Sequence, residues 1–264
     1  MTPAALSHTL QQLLVFGFGC CLGSFYNVVI YRLPRRESIV RPGSRCPHCL
    51  RPIAAWQNLP LLSYLLLRGR CAHCGARISA RYPLVEALTG ALALFLFRRY
   101  GWQVQLPIEF FFVSLLLIIT FIDLDTLLIP DVLSLSGVAV GFATSFISLR
   151  LSWLDSLLGI LLGGGFFYLI AVGYHYFRHQ EGLGGGDIKL LAMIGAFLGL
   201  PGAMITVLAA SVVGTVVGLI MMRRSRKGMA TMLPFGPFLS LGAVCYVFWG
   251  ERFFAWYFAE FLGA

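Results

Sequence analysis

Charged side chains are scarce in this sequence. Its 264 residues include 20 Lys or Arg and 11 Asp or Glu, 12% in all, whereas about a quarter is usual in soluble domains. Hydrophobic residues make up 58%, and the mean hydropathy is +0.82. A soluble globule of this size has too little interior for so many apolar side chains, and disordered chains have the opposite composition. Both classes are excluded, which leaves a membrane protein.

The apolar runs also lack the alternating pattern of a transmembrane barrel, whose strands alternate over segments of roughly ten residues. We therefore predict an all-α polytopic membrane protein with about eight transmembrane helices, because a helical crossing needs about 20 apolar residues. The run 188–222 is too long for one crossing, and Pro201-Gly202 predicts a break within it. The predicted spans are 11–31, 84–97, 106–124, 131–149, 153–177, 188–200, 202–222 and 236–259.

The net charge of +9 is unevenly distributed along the chain. Ten arginines lie in the polar segment 32–82, and four more basic residues lie in 223–227. Basic clusters beside apolar spans determine membrane orientation. This pattern predicts an N-terminus outside, no nucleic-acid partner, and a cytoplasmic location for the polar segment. The predicted organisation is a first transmembrane helix (1–31), a cytoplasmic loop (32–82) and a seven-helix membrane core (83–264).

Two CxxC pairs lie in the polar segment, at 46–49 and 71–74, with 21 residues between them. Each pair can place two thiolates on one metal ion, and two pairs complete a closed tetrahedral site. We predict a structural zinc ion that staples the loop, held by Cys46, Cys49, Cys71 and Cys74. Disulfides are the alternative, but they are rare in the cytoplasm. His48 and His73 are possible substitute ligands.

Four carboxylates stand at the ends of apolar runs, on the predicted cytoplasmic side: Asp123, Asp125, Asp131 and Asp187. Taken singly, each fits a plainer role as a helix cap or a helix-end residue. Two such groups brought together cannot both ionise cheaply, so that one holds a proton while the other activates water. This arrangement supports peptide hydrolysis by general acid–base catalysis. The sequence has no HExxH, GxSxG or P-loop motif for other familiar chemistries.

Three glycines precede Asp187. Since glycine has no side chain, Gly184, Gly185 and Gly186 would let the backbone of an extended substrate approach closely. We therefore predict that they bind substrate.

The sequence resembles the type IV prepilin peptidases, the bifunctional leader peptidases and N-methyltransferases of bacterial inner membranes. The resemblance rests on the two CxxC pairs and on five blocks that span nearly the whole chain. These are GSFYNVVIYRLP (23–34), RYPLVEALTG (81–90), DLDTLLIPD (123–131), GLGGGDIKL (182–190) and LPFGPFLSLGA (233–243).

The resemblance implies an aspartic protease of the GxGD class. Its D-x6-P motif assigns the first catalytic aspartate to Asp123, and its GxGD motif assigns the second to Asp187. Asp125 and Asp131 are then helpers or structural residues. The implied substrates are type IV prepilins and type II secretion pseudopilins, cleaved after a glycine at the cytoplasmic face. S-adenosylmethionine is the implied methyl donor for the new N-terminal residue.

Residue patterns alone do not locate a methyltransferase, since no GxGxxG follows a strand. Asn27, Arg32 and Glu86 lie in the matching blocks, but their residue types alone assign them no role. Two other classes compete with the peptidase. A proton-coupled transporter would use Asp123 and Asp187 as relay carboxylates. A membrane scaffold would use only the zinc loop, to bind a partner.

Overall fold

The computed structural model describes residues 3–178, 184–224 and 233–261, and the regular secondary structure of these residues is helical, without a β-strand. The prediction of an all-α chain is confirmed for this part of the protein. Residues 182–183 of the glycine-rich block and residues 225–227 of the second basic cluster lie outside the described residues. The helices are α1 (Pro3–Arg32), α2 (Leu62–Leu66), α3 (Arg81–Tyr100), α4 (Gln105–Thr126), α5 (Asp131–Thr144), α6 (Trp153–Leu158), α7 (Phe166–Arg178), α8 (Gly185–Arg224) and α9 (Gly236–Phe261).

Within the described residues, four helical stretches are long and apolar enough to cross a membrane. They are Ser7–Arg35, Gln105–Thr126, Trp153–Tyr176 and Gly185–Arg223. Two shorter apolar helices, Asp131–Thr144 and Gly236–Gly250, accompany them. The molecule therefore has the helices of an integral membrane protein, and the count of eight crossings stays a prediction.

The chain divides into two compact units, Met1–Phe110 and Phe111–Ala264. In the first unit α1 packs along α3, and glycines make this approach possible. A Cβ atom on Gly19 would lie 2.8 Å from the Cα of Gly90, and one on Gly23 would lie 2.7 Å from the Cα of Glu86. Small residues let membrane helices approach closely, so that van der Waals contact replaces a hydrophobic driving force.

In the second unit α8 is the central element, packed against α5, α6 and α9. Its buried side chains include Leu190, Met193 and Ile194. Phe197 stacks on Phe112 of α4, with ring centroids 4.5 Å apart. A π-helical stretch (Gly159–Gly165) joins α6 to α7 and also packs on α8.

The break in α8 is not at Pro201-Gly202, where the sequence analysis placed it. The single residue with non-helical backbone angles is Gly199, at φ 68° and ψ −177°. Glycine adopts positive φ without steric cost. Pro201 then lies in the first turn of the second half of the helix, where its missing N–H leaves no helical hydrogen bond unmade. The proline starts the second half, and the glycine two residues before it makes the break.

Candidate active site and metal centre

The two aspartates assigned by the resemblance lie at helix ends in the second unit. Asp123 is in the last turn of α4 and is 4% exposed, whereas Asp187 is in the first turn of α8 and is half-buried. Gly236, which contacts the Asp123 carboxylate, and Gly186, the residue before Asp187, both lie against Ile129. The fold therefore brings two aspartates that are 64 residues apart in the sequence to one region of the second unit.

The start of α9 completes the surroundings of Asp123. The backbone N–H of Gly236 donates a hydrogen bond of 3.0 Å to Asp123 Oδ2. A Cβ atom on Gly236 would lie 2.7 Å from the same oxygen and 3.2 Å from Ile129 Cδ1. Only glycine therefore allows this N–H to reach the carboxylate without displacing it. Sequence reasoning assigned no role to Gly236, although it lies in the 233–243 block.

Ile129, in the short connection between α4 and α5, links these elements. A Cβ atom on Gly186 would lie 3.0 Å from Ile129 Cβ. The same side chain lies beside Gly236, so the beginnings of α8 and α9 and the end of α4 meet around Ile129.

The three glycines before Asp187 have different surroundings. A Cβ atom on Gly184 would lie 3.0 Å from Asp187 Oδ2, and one on Gly186 would meet Ile129. A Cβ atom on Gly185 would meet nothing within 4 Å. Tight space at the first and third positions and open space at the second give a physical reason for a GxGD pattern. Gly184 and Gly185 are exposed, as a substrate-binding backbone must be; their binding role stays a prediction.

The other two carboxylates are more exposed than Asp123. Asp125 is exposed at the end of α4. Asp131, in the first turn of α5, pairs with Lys189 of α8 at 2.6 Å. Both partners are substantially exposed, so the pair contributes about 0–1 kcal/mol to stability.

The four cysteines of the polar segment form a cluster in the first unit. The sulfur atoms of Cys46, Cys49, Cys71 and Cys74 all lie within 4.8 Å of one another, and none forms a disulfide. The sulfurs of Cys46 and Cys74 are 3.8 Å apart, and a tetrahedral zinc site with bonds of about 2.3 Å places sulfurs at about this separation. The geometry can therefore hold a metal ion on four thiolates.

The surroundings of the four thiols act unequally on the thiolate form that metals bind. A backbone hydrogen bond from Ala76 favours the Cys74 thiolate, but desolvation and the neighbouring cysteine side chains outweigh it and raise the pKa of the Cys74 thiol to about 11. The backbone N–H groups of Cys74 and His73 hydrogen-bond to Cys71 and lower the pKa of its thiol to about 6. Such hydrogen bonds stabilise the negative charge before a metal arrives.

The two CxxC turns repeat one backbone pattern. In the first, the N–H of Cys46 bonds to Arg51 O and the N–H of Leu50 to Cys46 O. In the second, Cys71 and Gly75 make the equivalent bonds to residues 76 and 71. The residue after each pair has positive φ, 56° at Leu50 and 70° at Gly75. At this positive-φ position the first turn therefore has a leucine, whereas the second has a glycine, which adopts positive φ without steric cost.

This difference predicts a stabilising substitution. Leu50 is 65% exposed, so glycine there loses little packing and relieves positive-φ strain of about 1 kcal/mol. We expect Leu50→Gly to raise the affinity for Zn²⁺ by up to about fivefold in a chelator competition. Gly75→Leu should lower it by a similar factor. Equal affinities in all three proteins would contradict the assignment of strain to Leu50.

Two protein-family models match the chain, and they divide it at about the same place as the two compact units. Residues 17–100 match the family model for the bacterial peptidase A24 N-terminal domain. Residues 110–219 match the model for the type IV leader peptidase family. The chain belongs to the type IV leader peptidase family.

Curated relatives in this family are named prepilin leader peptidase/N-methyltransferase. The protein of Aeromonas hydrophila is 38% identical over 97% of this chain and 98% of its own length. That of Legionella pneumophila is 36% identical over 94% of both chains. The Myxococcus xanthus protein is 45% identical over 79% of this chain, and that match spans 62% of its own length. No solved structure matches the chain. The family resemblance drawn from sequence motifs is confirmed, and the transporter alternative has no support among these relatives.

Proposed function

We propose that this protein cleaves the basic leader of type IV prepilins with Asp123 and Asp187, and that it methylates the new N-terminal residue. One observation carries the peptidase proposal: the end of α4, with Asp123, and the start of α8, with Asp187, lie around the same side chain, Ile129, beside exposed glycine backbone. The names of the relatives support both activities.

The proposed hydrolysis needs no metal ion at the reacting atoms. One aspartate accepts a proton from water as the water oxygen attacks the scissile carbonyl carbon, and the protonated aspartate donates to the carbonyl oxygen. The tetrahedral intermediate then collapses, the C–N bond breaks, and the leaving nitrogen takes a proton from the dyad. The N–H of Gly236 keeps Asp123 oriented throughout, because it binds one carboxylate oxygen and leaves the other.

The proposal extends to the pseudopilins of type II secretion, which the family resemblance implies as substrates. We place the protein in the bacterial inner membrane, in contact with lipid, with eight crossings and its N-terminus outside. The basic residues of segment 32–82 support this orientation because cytoplasmic loops carry an excess of Lys and Arg. Leader cleavage then occurs at the cytoplasmic face.

The methyl donor in the proposal is S-adenosylmethionine. When bound, it supplies its methyl carbon to the α-amine nitrogen, the C–S bond breaks with its electron pair on sulfur, and an amine proton passes to water. The proposed metal is zinc, bound by the four cysteines as a staple. Four thiolate ligands fill a tetrahedral ion, so it has no open position for catalysis.

The proposal is tested by mass spectrometry of a purified prepilin incubated with the protein in detergent and S-adenosylmethionine. We expect loss of the leader and a gain of about 14 Da, the mass added when a methyl group replaces an amine proton in this transfer. Leader loss without the added mass would overturn the methylation half. An intact prepilin, with a matched substrate and folded protein, would overturn the peptidase half.

A single methyl group at Gly236 should disturb the dyad. We expect Gly236→Ala to reduce the cleavage rate by about tenfold to a hundredfold, because the new Cβ would lie 2.7 Å from Asp123 Oδ2 and must displace it. Initial rates on a purified prepilin measure the effect. Gly218→Ala is the matched control, since a Cβ there meets nothing within 4 Å. Equal rates in both variants would show that Gly236 does not position Asp123.

A further inference from the structure

A cavity of about 390 Å³ lies in the first unit, between the cytoplasmic half of α1 and two loop segments. This volume falls within the range of about 300–1,000 Å³ that is usual for small-molecule sites. Its α1 wall includes Ser24, Phe25, Val28 and Arg32, and its loop walls are formed by residues 39, 40, 42–44 and 58–60. The residues that line this cavity belong to the first unit, whereas Asp123 and Asp187 belong to the second.

The cationic group of the cavity is held in place by the protein. Arg32 donates one hydrogen bond of 3.0 Å to Ser38 O and one of 3.5 Å to Gly43 O. Both acceptors are neutral carbonyls, so the guanidinium keeps its positive charge available to an anionic group. Arginine is suited to bind a carboxylate because its planar fork matches the two oxygens.

A buried carboxylate, that of Glu86, links α1 to the loop beside the cavity. Glu86 of α3 is 8% exposed and accepts a hydrogen bond of 2.8 Å from the backbone N–H of Leu61. It also hydrogen-bonds to Ser24. Glu86 therefore joins the lining residue Ser24 of α1 to Leu61, the residue that follows the lining residue Pro60.

We propose that this cavity binds S-adenosylmethionine, with Arg32 at the carboxylate of its methionine moiety and Phe25 available to stack on its adenine ring. The proposal rests on the methyltransferase half of the proposed function and gives it a location.

The first test is direct photolabelling of the purified full-length protein with methyl-labelled S-adenosylmethionine, followed by peptide mapping. We expect the label in peptides that contain residues 24–28, 39–44 or 58–60, and we expect excess S-adenosylhomocysteine to prevent it. Label confined to other peptides, with the pilin still methylated, would overturn the location and leave the proposed function standing. Absence of both binding and methylation would overturn the two together.

The second test measures equilibrium binding of S-adenosylmethionine to variants. Arg32→Gln should weaken binding by about tenfold or more, because a charge-assisted hydrogen bond is lost while a donor to the loop carbonyls remains. Val28→Trp should weaken it by filling the cavity from α1. Arg35→Gln is the matched control, since Arg35 lies over the ring of Tyr31 and does not line the cavity. Equal affinity in the control and both cavity variants would overturn the proposal.

Discussion

Replacing Asp187 with asparagine should abolish leader cleavage, with a loss of about a thousandfold or more in rate. An amide has nearly the same shape as a carboxyl group, but it cannot take a proton from water and return it. Asp123→Asn should have an equally large effect, and the double variant should lose little more, because the two groups act as one unit. The measurement is the initial rate of leader loss from a purified prepilin, followed by mass spectrometry.

Two controls separate chemistry from folding in this experiment. Asp155→Asn makes the same chemical change elsewhere in the second unit, in the first turn of α6, and should retain cleavage. The Asp187→Asn protein should still methylate a pilin whose leader has already been removed, since methylation needs no proton from the dyad. Cleavage by Asp187→Asn within tenfold of the wild-type rate would rule out the dyad.

The sequence was sufficient to predict the helical class, most of the apolar helices and the four-cysteine cluster. These features depend on local composition or on fixed ligand spacing, which the linear order of residues records directly. The position of the break in α8 was wrong by two residues. A proline in a helical sequence predicts a break because it restricts the backbone of the residue before it. The non-helical backbone angles instead occur at Gly199, since glycine can adopt positive φ without steric cost.

The surroundings of the dyad could not be predicted in the same way. Gly236 is 113 residues from Asp123, and nothing in its local sequence shows that its N–H reaches a carboxylate. Ile129 resembles any other apolar residue until the beginnings of α8 and α9 are seen on either side of it. Contacts of this kind follow from helix packing, and one sequence contains no record of which helices pack together. The 233–243 block of the family resemblance contains Gly236, but it did not indicate that Gly236 contacts Asp123.

Removing one cysteine ligand of the proposed zinc site should have a second large effect, on the folding of the first unit. Wild-type protein should purify with one zinc ion per chain, and Cys71→Ser should lose it, because a tetrahedral thiolate site has no spare ligand. Zinc binding by small metal sites supplies of order 10 kcal/mol of folding free energy, and segment 44–78 has few buried side chains to replace it. The segment should then unfold locally.

The arginines of this segment make its unfolding directly measurable. Trypsin should cut the Cys71→Ser protein rapidly after Arg68, Arg70 or Arg77, and the zinc-loaded wild type much more slowly. Cys245→Ser is the matched control, since Cys245 lies in α9 and outside the cysteine cluster. Because Asp123 and Asp187 belong to the other unit, prepilin cleavage should fall much less than zinc content. If cleavage is lost in parallel with zinc, the metal supports the peptidase itself. If the zinc-free protein keeps its resistance to trypsin, zinc is not needed to keep this segment folded.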